Sequence, residues 1–147
     1  MGSTYLSLHY HLIFSTKNRE PLIHPNWRAS LHQYLGGTVR GMDGVAELVG
    51  GVEDHVHLLV SLNANHRLCD FLRELKKASS VWAATRHCAD FKWQGGYAAF
   101  TASAGDREAL LRYIGTQEEH HRHVSFIDEL RRLLKEHGVE YDPKYLD

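Results

Sequence analysis

Two stretches of this chain could do chemistry together. In His55-Val56-His57-Leu58-Leu59-Val60 the strand period throws His55 and His57 to one side and Val56, Leu58 and Val60 to the other. Two imidazoles side by side on an apolar-backed strand can grip one metal ion from a rigid support. A strand that merely carries two exposed histidines has the same pattern, so the pair needs a partner elsewhere. The stretch Asp106 to His121 offers one. At about 100° per residue, Tyr113 and Gln117 share a helix face one turn apart and His120 falls on it too. Leu111 and Ile114 lie further round and can bury. His55, His57 and the amide oxygen of Gln117 make a three-ligand set with positions left for substrate and water, a mixed nitrogen and oxygen site that suits Mg²⁺ or Mn²⁺ better than a structural zinc. Tyr113 would stand beside that ion. A free phenol, with a pKa near ~10, is about one part in a thousand ionised at neutral pH. A cation or a base must therefore help it act as a nucleophile.

The elements that must position these residues follow from apolar spacing. Tyr5 to Phe14 alternates as a strand, and Ser15 to Pro21 is a polar, basic loop. Asn26 to Met42 has helical spacing, with Asn26 as N-cap and Gly41 or Gly44 as stop. Ala46 to Val52 reads as a second strand, and Glu53-Asp54 as a tight turn into the strand His55 to Leu62. A connection so short makes those two strands antiparallel neighbours. Arg67 to His87 is a long amphipathic helix built on Leu68, Phe71, Leu72, Leu75, Ala78 and Trp82. Tyr97 to Thr101 is the fourth strand. Ser103 and Asp106 have capping-box spacing before the tyrosine-bearing helix, and Ser125 and Asp128 repeat it before a last amphipathic helix ending at His137-Gly138. Met1-Gly2-Ser3 and the tail Glu140 to Asp147 are expected to be irregular.

This β-α-β-β-α-β order, followed by two helices, predicts an α+β, ferredoxin-like (split β-α-β) fold. Its four-stranded antiparallel sheet would carry helices on one face, leave the other free for a site or partner, and be followed by a C-terminal tyrosine-bearing helix. A chain of 147 residues fits one domain spanning 1–147. Cys69 and Cys88 fall many turns apart in one helical region, so no disulfide joins them, and no C-x-x-C zinc pattern exists. There is no long apolar run and no signal-peptide architecture, which predicts a reduced, cytoplasmic protein with no membrane partner. The balance of 17 basic against 18 acidic residues argues against general electrostatic binding of nucleic acid. Any nucleic-acid site must draw on local charge.

With the histidine pair and the Tyr-x-x-x-Gln helix in place, the chain resembles the single-tyrosine HUH transposases of the bacterial insertion-sequence type, the REP-associated tyrosine transposase-like family. The resemblance runs from Tyr10-His11-Leu12-Ile13-Phe14 through Gly51-Val52-Glu53-Asp54-His55-Val56-His57 and Trp93-Gln94-Gly95-Gly96-Tyr97. It is densest at Tyr113-Ile114-Gly115-Thr116-Gln117-Glu118-Glu119-His120-His121-Arg122. It implies that His55, His57 and Gln117 bind Mg²⁺ or Mn²⁺, and that Tyr113 attacks a DNA phosphodiester to leave a 5′-phosphotyrosine and a free 3′-hydroxyl. It also implies single-stranded DNA with hairpins as substrate, a homodimer, and in some members a tyrosine helix that completes the partner's site.

Outside that transfer, Asp54 is a candidate to orient an imidazole and His120 to assist proton transfer. Lys17, Arg19, Arg73, Lys76 and Lys77 are candidate phosphate contacts, and Trp93 and Tyr97 could stack bases. Two phosphoesterase readings fail on the residues. A histidine-triad hydrolase needs a third alternating histidine where Leu59 stands, and a two-histidine phosphoesterase needs a second H-x-S/T copy. An RNA-recognition module would carry aromatic motifs that are absent. A domesticated or inactive relative that binds hairpin or single-stranded nucleic acid remains the alternative.

Overall fold

The strand that carries the histidine pair, β3 (His55–Ser61), is buried along nearly its whole length and lies inside the sheet. The computed structural model describes residues 2–146. Antiparallel to β3 run β1 (His9–Ser15) on one side and β2 (Val45–Gly51) on the other, and β4 (Ala98–Ala102) pairs with the far edge of β1. The order β2-β3-β1-β4 is the split β-α-β topology, an α+β fold. Among the described residues five α-helices complete it: α1 (Pro25–Gly41), α2 (Leu68–Arg86), α3 (Arg107–Gly115), α4 (Gln117–His120) and α5 (Phe126–Glu136).

Strand alternation splits the interior into two layers. Leu12 and Phe14 of β1 and Val56, Leu58 and Val60 of β3 face α1 and α2, where Trp27, Leu31, Leu35, Phe71, Leu72 and Leu75 close the main core. The opposite face carries His11, Ile13, His55 and His57. That face is not open as the sequence pattern suggested. The apolar stripe of α5, Phe126, Leu130, Leu133 and Leu134, packs over Ile13 and Phe100 and forms a second, smaller core. An amphipathic helix of this kind needs apolar cover, and the second sheet face supplies it.

Most strand and helix ends shift by a residue from the sequence expectation, and three boundaries differ for a physical reason. β1 begins at His9 rather than Tyr5, because β3 ends at Ser61, directly opposite His9, and earlier residues have no strand to pair with. Tyr5 and Leu6 are accordingly exposed. α1 starts with Pro25 in its first turn after His24, not at an Asn26 cap, the position where proline's fixed φ and missing N–H cost nothing. The expected helix Asp106 to His121 is broken at Thr116, whose hydroxyl donates to the Arg112 carbonyl at 2.8 Å; α3 ends before it and α4 begins after it. Met1 and Asp147 lie outside the described residues, and from Glu140 the tail holds only one turn of 3-10 helix, Pro143–Tyr145. Both cysteines are free. Among the described residues no helix is long and apolar enough to cross a membrane.

α3 is seated on β2 by close backbone approach. A Cβ built on Gly50 would stand 2.3 Å from the Ile114 carbonyl oxygen and 2.9 Å from its Cγ2. Gly50→Ala must therefore lift α3 off the sheet. Overpacking of this kind costs about 1–3 kcal/mol, so urea denaturation is expected to give a lower midpoint at unchanged m-value. A midpoint equal to that of the unmodified protein would show that α3 yields freely.

Candidate active site and metal centre

Three imidazoles converge on one carboxylate oxygen. Oε1 of Glu129, a fully buried residue on α5, lies 3.3 Å from His55 Nε2, 3.1 Å from His57 Nε2 and 3.0 Å from His121 Nε2. Each ring is held at its other nitrogen. His55 Nδ1 is 2.7 Å from Asp54 Oδ1, His57 Nδ1 is 2.7 Å from His11 Nε2, and His121 Nδ1 is 2.6 Å from the Val124 carbonyl. Partners of this kind set the tautomer and aim of a ligating histidine. The Gln117 side chain is buried; its amide donates to the Tyr113 carbonyl at 3.2 Å, which turns Oε1 to within 3.3 Å of His55 Nε2.

The donor chemistry fits a cation. Asp54 and the Val124 carbonyl can only accept, so His55 and His121 carry hydrogen on Nδ1. As neutral rings both would turn a lone pair at Nε2 toward the Glu129 carboxylate, an arrangement that only a proton or a metal ion relieves. Burial opposes charge on His55, yet its bonds to Asp54 and Glu129 raise it to about 9. Burial and the neighbouring His55 pull His57 down to about 4. Burial raises Glu129, but bonds from His121, His55 and His57 outweigh it and hold the carboxyl far below its usual range. One ligand atom from each of His55, His57, His121 and Glu129 lies within 4.8 Å of the others, a span one ion can occupy.

Tyr113, on α3, stands against the same carboxylate. Its hydroxyl donates to Glu129 Oε2, and its ring centroid is 5.6 Å from that of His57. Burial and the Glu129 anion push the phenol up from its ordinary value, while Arg132 opposes them. His120 Nε2 comes within 3.4 Å of Glu129 Oε2 but has no hydrogen-bond partner, and its ring is 5.5 Å from that of Tyr113. The arrangement sets a phenol beside a cluster of side chains that could hold one metal ion, with the tyrosine reaching the histidines of its own chain.

A family model described as "Transposase IS200 like" matches residues 4–117. The chain belongs to the IS200-like transposase family. The ISDra2 transposase TnpA of Deinococcus radiodurans is 29% identical over 133 residues, covering 76% of this chain and 85% of that protein. A crystal structure of a candidate transposase from Deinococcus radiodurans R1 superposes with a TM-score of 0.62 at 26% identity, over 80% of this chain and 96% of its own. A REP-associated tyrosine transposase bound to a REP hairpin shares the fold with a TM-score of 0.62 at 15% identity, over 84% and 76% of the two chains.

The family match takes in His55, His57, Tyr113 and Gln117, all of which the fold brings together, and ends before His121, Glu129 and the rest of α5. Asp54 sits where an orienting partner of His55 must sit. The basic candidates are scattered. Lys17 and Arg19 follow the end of β1 that faces His55, whereas Arg73, Lys76 and Lys77 belong to α2, behind the opposite sheet face. Lys76 donates to the Gln94 and Gly96 carbonyls, and Arg73 pairs with Asp70 at 2.9 Å. Trp93 packs edge-on against Phe14 and donates to Ser79, while Tyr97 is exposed. Two residues of the cluster were missed by the sequence reading. His121 was passed over for its neighbour His120. Glu129 had a legible signal, a charged residue inside the buried stripe between Phe126 and Leu133.

Proposed function

We propose that this family member cleaves and rejoins single-stranded DNA near hairpins at element ends, through a 5′-phosphotyrosine on Tyr113, and that it works as a homodimer. One observation carries the reading: the Tyr113 hydroxyl and the Nε2 atoms of His55, His57 and His121 all address the same buried carboxylate. Family membership and the hairpin held by the REP-associated relative support the choice of substrate.

In the step itself Tyr113 Oη bonds to phosphorus, the P–O3′ bond breaks, and its electron pair leaves with the 3′-oxygen. In the net balance the phenol proton ends on that oxygen. The phosphotyrosine keeps the phosphodiester's bond energy, so another 3′-hydroxyl can reverse the reaction on a new strand. His55, His57, Gln117, His121 and Glu129 would hold a divalent ion, with Asp54, His11 and the Val124 carbonyl fixing the imidazoles. Such an ion supplies polarisation of the scissile phosphate and stabilises developing negative charge. Among Mg²⁺ and Mn²⁺ the imidazole-rich set favours Mn²⁺. Of the five basic residues singled out in the sequence, Lys17 and Arg19, at the His55 end of the sheet, would meet the DNA backbone; His120, next to Tyr113, would assist a proton.

The test is a labelled hairpin oligonucleotide incubated with the protein and Mn²⁺ or Mg²⁺, then resolved on a denaturing gel. A covalent protein–DNA band that disappears with EDTA is the expected result. Retarded DNA on a native gel with no covalent band would replace this reading with that of a nucleic-acid-binding relative.

A further inference from the structure

The nucleophile is held by two side chains from one turn of α5, and only one of them enters the metal set. Arg132 Nη2 donates to the Tyr113 hydroxyl oxygen at 3.1 Å, and its guanidinium lies over the tyrosine ring, 5.6 Å from the centroid. The other arm of the guanidinium is fixed by Glu136, with Nη1 to Oε1 at 3.0 Å. Arg132 is half-exposed and, with Tyr113, lines a cavity of about 370 Å³ whose wall also includes His11, Phe100, Leu110 and His137. A cavity of that size admits a nucleotide unit, and Tyr113 and Arg132 are both part of its wall.

We propose that Arg132 is a further catalytic residue, which bonds the Tyr113 oxygen and the scissile phosphate of a DNA strand entering through this cavity. The inference rests on the reading of Tyr113 as nucleophile. Its physical need is evident from Glu129. A buried carboxylate next to the phenol disfavours negative charge on the attacking oxygen and on a phosphodiester brought up to it. Arg132 is the cation bonded to that oxygen, and a guanidinium offers planar, parallel N–H donors that match both a phenolate and a phosphoryl oxygen. When Tyr113 Oη bonds to phosphorus and the P–O3′ bond breaks, the charge spreads over oxygens within reach of the same fork. Glu136 keeps the fork aimed when the strand is absent.

Single-turnover formation of the covalent adduct, measured with a labelled hairpin oligonucleotide and Mn²⁺, tests this. Removing one preorganised donor of transition-state charge costs about 10²–10³ in rate, so Arg132→Ala is expected to slow adduct formation about 100-fold. Hairpin affinity by fluorescence anisotropy and the melting temperature should stay near those of the unmodified protein. Guanidinium ion in solution should restore much of the lost rate to Arg132→Ala and none to Tyr113→Phe, a rescue that a packing role would not show. Arg132→Lys should recover the charge but not the fork and fall between the two. Arg131→Ala, on the neighbouring exposed arginine, should react as the unmodified protein does. Unchanged adduct formation in Arg132→Ala overturns the assignment, as does a loss of rate matched by an equal loss of affinity. If the unmodified protein itself forms no adduct, the reading of Tyr113 falls and this inference with it; an adduct in the unmodified protein that Arg132→Ala leaves intact removes the arginine alone.

Discussion

Tyr113→Phe is expected to abolish the covalent protein–DNA species while hairpin binding survives. The substitution deletes one oxygen, the one that would bond to phosphorus, and leaves the ring. That ring packs edge-on to His57 at 5.6 Å and to His11 at 6.1 Å, contacts a phenylalanine keeps. The hydroxyl's partners, Glu129 and Arg132, each retain other bonds: Glu129 to three imidazoles and Arg132 to Glu136. Because the imidazoles address Oε1 and the hydroxyl addresses Oε2, the substitution leaves one buried carboxylate oxygen without its donor, a cost of about 1–3 kcal/mol. Burial and the Glu129 anion raise the phenol above its ordinary value, so without its hydroxyl the buried carboxylate loses a donor but no positive charge. The fold should hold, with a melting temperature lowered by a few degrees. Denaturing gels read the adduct and anisotropy reads binding. An adduct of undiminished yield in Tyr113→Phe would move the nucleophile elsewhere, and loss of binding alongside loss of adduct would make the tyrosine a DNA contact first.

The fold was legible because its signals are local. Alternation in β1 and β3, the tight connection at Glu53-Asp54 and the apolar spacing of α1 and α2 each follow from a few consecutive residues, and together they leave one sheet order. Four of the six side chains at the candidate site were legible for the same reason: His55 and His57 share a strand face, and Tyr113 and Gln117 lie four residues apart. What the chain order hides is which distant side chain closes the cluster. Glu129 is 72 residues from His57, and nothing nearby in sequence says that the apolar stripe of α5 will land on Ile13 and Phe100. Once it does, the carboxylate between Phe126 and Leu133 faces the imidazoles and the phenol. The break at Thr116 was hidden too. A side-chain hydroxyl bonding back to Arg112 ended α3, and the turn that follows brought His121, not only His120, within reach of Glu129.

Glu129→Gln is expected to weaken Mn²⁺ binding by at least about tenfold, on the scale that altering a metal site's supporting residues costs, 10–100-fold. The amide is nearly the same shape, so the buried volume stays filled and the effect isolates charge. Glu129 Oε1 lies 3.0–3.3 Å from all three Nε2 atoms, and the Glu129 carboxylate is the anionic group among His55, His57, His121 and Glu129. Its loss leaves imidazole nitrogens and the Gln117 amide to neutralise a doubly charged ion. Titration calorimetry reads the affinity directly. Thermal melts give a second reading, because a ligand that binds only the folded protein stabilises it by about 2.7 kcal/mol at a hundred times its Kd. Mn²⁺ should raise the melting temperature of the unmodified protein well above its effect on Glu129→Gln. His57→Ala should lose the shift as well, since it removes a ligand under every version of the site. The two variants therefore separate two cases. Loss in His57→Ala with full binding in Glu129→Gln would confine the metal to the strand histidines and Gln117, and leave Glu129 to the tyrosine. Loss in both makes α5 part of the metal centre, so that the helix lying beyond the family match would govern metal and nucleophile together.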